Sequence, residues 1–192
     1  MKIFQSIKGG ILTQGYDCLP SMASYYESAG LARGLHGGYD YGCPIGTPIY
    51  WNCDYEAETN YCEIDGKGGL GCAVIVKVED RVFKFRFWHL SKFASFPGEK
   101  LKTGMLIGWT GNTGGSTGPH LHFDVKELKV SPTGKYATLG DYYEQMYPNN
   151  GAFGAIRCEE WMKDIFVLDT LSVGDKTNRL LIAIIKTLIY RK

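Results

Sequence analysis

Phe83, Phe85 and Phe87 alternate with Lys84 and Arg86, and this run constrains the fold more tightly than any other. A period of two sends three phenyl rings to one face and the cations to the other, which suits a half-buried strand and not a helix. Continued past Trp88, the same register carries His89 to the phenylalanine side and predicts that it points inward at the strand's end. A second alternation follows in Leu121, Phe123 and Val125, whose intervening residues are His120, His122 and Asp124. Shorter strand patterns occupy 11 to 16, Ile49-Tyr50-Trp51 behind Pro44, Gly46 and Pro48, Ala73 to Glu79, and two stretches of Leu101 to Trp109 about Thr103-Gly104. Short strands broken by turns predict a mostly β domain, and the 25 glycines, 13 tyrosines and 9 phenylalanines agree.

Other segments read differently. Met22 to Ser28 has the pattern of a helical turn, Cys53 to Asp65 reads as a solvated acidic loop, and 130 to 157 reads as a long loop region framing a groove. Residues 159 to 169 fit a short helix or strand. Asp175 is a fitting N-cap for a helix from about 176 to 190. Leu180, Leu181, Ile184, Ile185, Leu188 and Ile189 then share one face, suited to packing on the same domain or to self-association, with docking on a membrane surface or cell wall as the alternative. The domain expectation is a peptidase-sized unit over 1–160, with motifs in 12–125, and a helical extension over 161–192.

A net charge of +1 on 192 residues gives no reason to expect nucleic acid or an anionic membrane as partner. No run of about 18 apolar residues is present, so stable membrane insertion is not expected. The first residues lack a signal-peptide pattern, which predicts synthesis in a cytoplasm without a secretion address. Cysteines stand at 18, 43, 53, 62, 72 and 158 without a Cys-x-x-Cys spacing, against a thiolate zinc knuckle. Free thiols are expected, and Cys53 with Cys62 is the first pair to examine.

All four histidines fall in three short motifs: His36-Gly-Gly-Tyr-Asp40, Trp88-His89-Leu90-Ser91 and Gly118-Pro-His120-Leu-His122-Phe123. Imidazole is the usual acid/base group near neutral pH and a common zinc ligand. Residues two apart on a strand share a face, so His120, His122 and Asp124 project together opposite an apolar side. His36 and Asp40 have helical spacing, but Gly37 and Gly38 would each cost about 1 kcal/mol in a helix, which favours a loop or strand end. A catalytic zinc takes three protein ligands and keeps one position open. His36, Asp40 and one histidine of the 120/122 pair supply such a set with a net charge of −1, leaving two histidines for proton transfer. No His-Glu-x-x-His helix is present, and the glycine-rich loop 111 to 118 lacks the Gly-Lys-Ser/Thr ending of a phosphate loop.

His36-x-x-x-Asp40, His89-Leu-Ser, Gly111-Asn-Thr-Gly and Gly118-Pro-His-Leu-His-Phe123 resemble the signature of the lysostaphin-type (LytM-like) zinc endopeptidases, in that family's order. The resemblance implies an antiparallel β-sheet core with an open groove and one Zn2+ per chain on His36, Asp40 and His122. It implies His120 as general base and His89 as the group that steadies the oxyanion, two roles that could be exchanged or shared. Peptidoglycan peptide is the implied substrate, cut in a cross-bridge or a stem peptide. Tyr39, Tyr41, Trp51, Trp88 and Trp109 are candidates for groove walls or for the core, with the core the stronger reading, Asn112 is a candidate groove residue, and Asp124 is a candidate holder of an imidazole. The absent export pattern fits a phage or prophage lysin acting on the wall. The rival expectations are a non-catalytic wall-binding or amidase-activating module and a virion structural protein carrying this domain.

Overall fold

The computed structural model describes residues 10–65, 67–137 and 144–158. The expected helix near 176–190, and the segment 159–169, lie outside the described residues. Among the described residues, nine strands form one antiparallel sheet: β1 (Ile11–Gln14), β2 (Tyr39–Gly42), β3 (Pro48–Trp51), β4 (Ala57–Asp65), β5 (Gly69–Val78), β6 (Arg81–Phe93), β7 (Lys100–Leu101), β8 (Met105–Thr110) and β9 (His120–Leu128). Their order is β1-β2-β9-β6-β5-β4-β7, with β8 joining β3 to β6 off that path. A 3-10 turn at Pro20–Met22 leads into the one-and-a-half-turn helix α1 (Ala23–Ser28), where a helical turn is expected.

The alternating runs behave as their period requires. Phe83, Phe85 and Phe87 are fully buried and meet Phe123, Val125, Trp51 and Ile107 in the main core. Each such ring contributes on the order of 2–3 kcal/mol by leaving water. Phe85 and Phe87 pack at 5.8 and 5.5 Å from Phe123, and this stack presses the outer faces of β6 and β9 into one surface. That surface carries the site.

The acidic stretch is not wholly a loop, because Ala57–Asp65 forms β4 against β5. Ala57, Thr59 and Tyr61 are buried at alternate positions while Glu58 is exposed and pairs with Lys100, so the acids decorate a strand whose inner residues are the structural ones. His89 does not follow the phenylalanine register. Between the pairs Cys72↔Phe87 and Leu70↔Leu90, Trp88 and His89 oppose Gly71 alone. That is a β-bulge, and His89 takes the left-handed backbone at φ 63. The extra residue returns Leu90 to the core and leaves the imidazole of His89 facing His120.

All six cysteines are free thiols. The thiol in contact with Cys62 is that of Cys72, with Sγ atoms 3.4 Å apart, rather than that of Cys53, which packs in the main core.

Candidate active site

Strand register brings the site together. β2 and β9 pair Asp40 with His122 and Gly42 with His120, and opposed residues share a face. Asp40 Oδ1 lies 2.9 Å from His122 Nδ1 and 3.7 Å from His120 Nε2. His36 precedes β2 in a loop turned by Gly37 at φ 78, and its Nε2 reaches Asp40 Oδ1 at 3.3 Å. A Cβ on Gly38 would stand 2.5 Å from His122 Cε1 and 2.9 Å from the Phe123 carbonyl, so only glycine lets β2 approach that imidazole. His89 completes the group, its ring 4.5 Å from that of His120.

Each imidazole is held by its far nitrogen. His36 Nδ1 meets the Gly15 carbonyl at 2.9 Å, His89 Nδ1 the Thr113 carbonyl at 2.8 Å, and His120 Nδ1 the Gly118 carbonyl at 2.8 Å. A carbonyl only accepts, so each of these Nδ1 atoms carries hydrogen and, in the neutral ring, Nε2 keeps its lone pair. His122 is reversed. Its Nε2 faces Asp124 Oδ2 at 3.6 Å, leaving Nδ1 toward Asp40.

The charges are tightly coupled. Burial opposes ionisation of Asp40, yet hydrogen bonds from His122 and His36 outweigh it and hold the carboxyl well below its usual range. Asp124 is likewise buried and held low, by the charge of Arg86 and by the nearby His122 imidazole; Arg86 Nε donates to its Oδ1 at 2.8 Å. Burial disfavours a proton on His122, but the carboxylates of Asp124 and Asp40 on either side of the ring push it up to about 9. His89 goes the other way, lowered to about 4 chiefly by burial.

One ligand atom from each of His36, Asp40 and His122 lies within 4.8 Å of the others. Two neutral imidazole nitrogens and one carboxylate oxygen, each ring anchored behind by an acceptor, suit zinc in both donor type and number.

These residues form the floor of an open cavity of about 480 Å³. Of the expected groove residues, Trp88 lines it. Tyr39 is buried in the core and Tyr41 packs against it, because the β2 face opposite Asp40 is the core face, and Trp51 of β3 is buried in the same core. Trp109 lies under the Lys92 ammonium. Asn112 is exposed and accepts a hydrogen bond from the Ser116 hydroxyl, outside the cavity lining. The walls come instead from Leu19, Met22, Tyr25 and Tyr26 around α1 and from Phe153. Tyr25-Tyr26 in the helical-turn pattern was the available signal.

Thr113 is a further residue that motif reading leaves without a role. Its carbonyl holds His89, while its hydroxyl donates to the Leu90 carbonyl and accepts from the Leu70 amide.

The profile described as peptidase family M23 matches residues 34–135, more than half of the 192 residues. The glycyl-glycine endopeptidase ALE-1 of Staphylococcus capitis is 37% identical over 95 residues, 49% of this chain and 25% of that protein. The DD-carboxypeptidase/endopeptidase Mpg of Neisseria meningitidis is 39% identical over 93 residues, 48% of this chain and 20% of that protein. The chain thus spans a quarter or less of the length of these curated relatives. The catalytic domain of lysostaphin from Staphylococcus simulans superposes with a TM-score of 0.51 at 24% identity, covering 82% of this chain and 92% of that one, a likeness of fold.

Proposed function

Since the chain belongs to peptidase family M23, we propose that it is a zinc-dependent endopeptidase hydrolysing peptide bonds of bacterial peptidoglycan, in a cross-bridge or a stem peptide. The observation that carries this reading is the convergence of His36, Asp40 and His122 on one point, with two further imidazoles beside it at the floor of an open cavity. Relatives named as a glycyl-glycine endopeptidase and as a peptidoglycan DD-endopeptidase support the substrate class.

His36, Asp40 and His122 hold the zinc. When bound, the metal supplies Lewis acidity toward a carbonyl oxygen and makes water a stronger nucleophile near neutral pH. The chain contributes the proton transfers. His120 and His89 both present a bare Nε2 on the cavity side, so each can take a proton from attacking water and return it to the leaving amine. His120 is the base in this proposal. His89 is neutral near pH 7, because burial lowers it, and its Nδ1 hydrogen is committed to Thr113. It therefore donates to an oxyanion only after gaining a proton at Nε2, which makes the pair a shared-proton device. Trp88 and the α1 aromatics wall the cavity and orient an extended peptide across it.

The sequence-based setting, a phage or prophage lysin, belongs to the same proposal and is tested by whether the chain lyses cells when expressed with a holin. For the chemistry, zinc-loaded protein is incubated with cell-wall sacculi of several cross-link types, with and without a chelator, and fragments are read by mass spectrometry. Chelator-sensitive release of new amino termini supports the peptidase and names its bond. Intact peptides in the presence of stoichiometric zinc overturn it in favour of a binding or activating module.

A further inference from the structure

β4 and β5 run antiparallel with Cys62 directly opposite Cys72. Opposed residues in such a pair have Cα atoms ~4.5–5.5 Å apart, inside the span of ~4.4–6.8 Å that a disulfide bridges. Both residues are free thiols, and their Sγ atoms already stand 3.4 Å apart. Ser95 fixes both: its carbonyl accepts from Cys62 Sγ at 3.0 Å, and its hydroxyl lies 3.8 Å from Cys72 Sγ. The two thiols are unequal. Cys62 is partly accessible and Cys72 is fully buried. The hydrogen bond with Cys72 holds the Cys62 thiol below its usual range against burial, while the same bond and burial push Cys72 up.

We propose that Cys62 and Cys72 form a redox-modification site that closes a cross-strand disulfide by exchange with a low-molecular-weight disulfide such as oxidised glutathione. Cys62, as thiolate, attacks one glutathione sulfur, forming a mixed disulfide and expelling glutathione thiolate, which takes up the proton that Cys62 lost. Cys72 then loses its proton and attacks the Cys62 sulfur, closing the protein disulfide and expelling the second glutathione. Two thiols are oxidised and one glutathione disulfide is reduced to two thiols. The accessible, lower-pKa partner is the entry point and the buried one resolves it.

The bond staples β4 to β5 beside the bulge that seats the site. Gly71, next to Cys72, lies against the Trp88 ring, and the Leu70 amide binds the Thr113 hydroxyl. Because the register already opposes the two cysteines, closure asks for side-chain rotation and little backbone movement.

The zinc-loaded chain is equilibrated with oxidised glutathione, unfolded in denaturant containing iodoacetamide so that every remaining thiol is trapped, digested and sequenced by mass spectrometry, with thermal unfolding of a parallel sample. The expected result is a peptide linked through Cys62 and Cys72, the other cysteines alkylated, and a midpoint raised by about 5 °C or more. Cys72→Ser should stop at glutathione on Cys62. The proposal is overturned if both cysteines remain alkylatable, if glutathione persists on Cys62 of the unsubstituted chain, or if Cys62 links to another cysteine. The first readout needs no variant and stands even if Cys72→Ser fails to fold.

Discussion

Nε2 of His122 lies 3.6 Å from Oδ2 of Asp124, so the imidazole that offers Nδ1 toward Asp40 is anchored at its far nitrogen by a buried carboxylate. The other oxygen of Asp124 accepts from Arg86 at 2.8 Å. The chain Arg86–Asp124–His122–Asp40 thus runs from one strand face into the proposed metal centre, with each member fixing the next.

Replacing Asp124 by Asn keeps the shape and removes the charge. Zinc affinity should fall about 10- to 100-fold, the usual effect of losing such a partner. Stability should drop by about 3 kcal/mol, because Arg86 loses the carboxylate that neutralises it in a largely buried pair. Competition with a chromophoric chelator reads the first effect and denaturant unfolding of the metal-free chain the second. Unchanged affinity would show that Asp124 serves Arg86 alone.

His122→Ala and His120→Ala separate the two histidines of one strand face. His122 sits against Asp40 at 2.9 Å, whereas His120 Nε2 is 3.7 Å away and its Nδ1 is tied to Gly118 and Ser116. His122→Ala should purify without zinc. His120→Ala should retain stoichiometric zinc and lose at least about 10²-fold in kcat, the scale of general acid–base catalysis. Metal analysis and peptide hydrolysis on both variants decide this, and an active His120→Ala enzyme removes His120 from the proton-transfer role.

If His122 is a zinc ligand as proposed, proton and zinc compete for it. Its pKa in the metal-free fold is raised from 6.5 to about 9, so the folded chain binds this proton more tightly than the unfolded chain does. By linkage the stabilisation is complete below the unfolded value of 6.5 and is lost as pH climbs through about 9. Zinc needs Nδ1 deprotonated, so its affinity should run oppositely, weakening about tenfold for each pH unit below that value. Titrations of zinc at pH 6, 7 and 8 (about one unit apart), beside melting of the chelated chain relative to His122→Ala, check both slopes.

Periodicity explains what the sequence discloses here and what it hides. The faces of Phe83 to Phe87 and of His120 to Val125 follow from a local rule, and five site residues stand in motifs that can be seen without a fold. The turning of His89 cannot be seen in that way, since the bulge arises from Gly71 of another strand opposing two residues of β6. Tyr39 and Tyr41 look like groove residues beside Asp40, but alternation in β2 sends them to the opposite face. Cys62 finds Cys72 through strand register, which neither cysteine's neighbours specify. Local period is legible, and pairing between distant strands is not.

Thr113 tests whether loop 111–118 positions His89. Its hydroxyl bonds Leu90 at 2.8 Å and the Leu70 amide at 3.0 Å, while its carbonyl takes the His89 Nδ1 hydrogen at 2.8 Å. Thr113→Val is nearly isosteric and removes only the hydroxyl, leaving the Leu70 amide without that acceptor at a cost of about 1–3 kcal/mol. The loop is then free to drift and carry the carbonyl with it. Zinc content should stay at one per chain, since His36, Asp40 and His122 do not touch this loop's hydroxyl. A displacement of His89 on the scale of 1 Å should lower kcat by up to about 10²-fold with a smaller change in KM. Thr113→Ser keeps the hydroxyl and should restore most of the rate. If Thr113→Val lowers stability but leaves kcat intact, the hydroxyl secures the loop without positioning the imidazole.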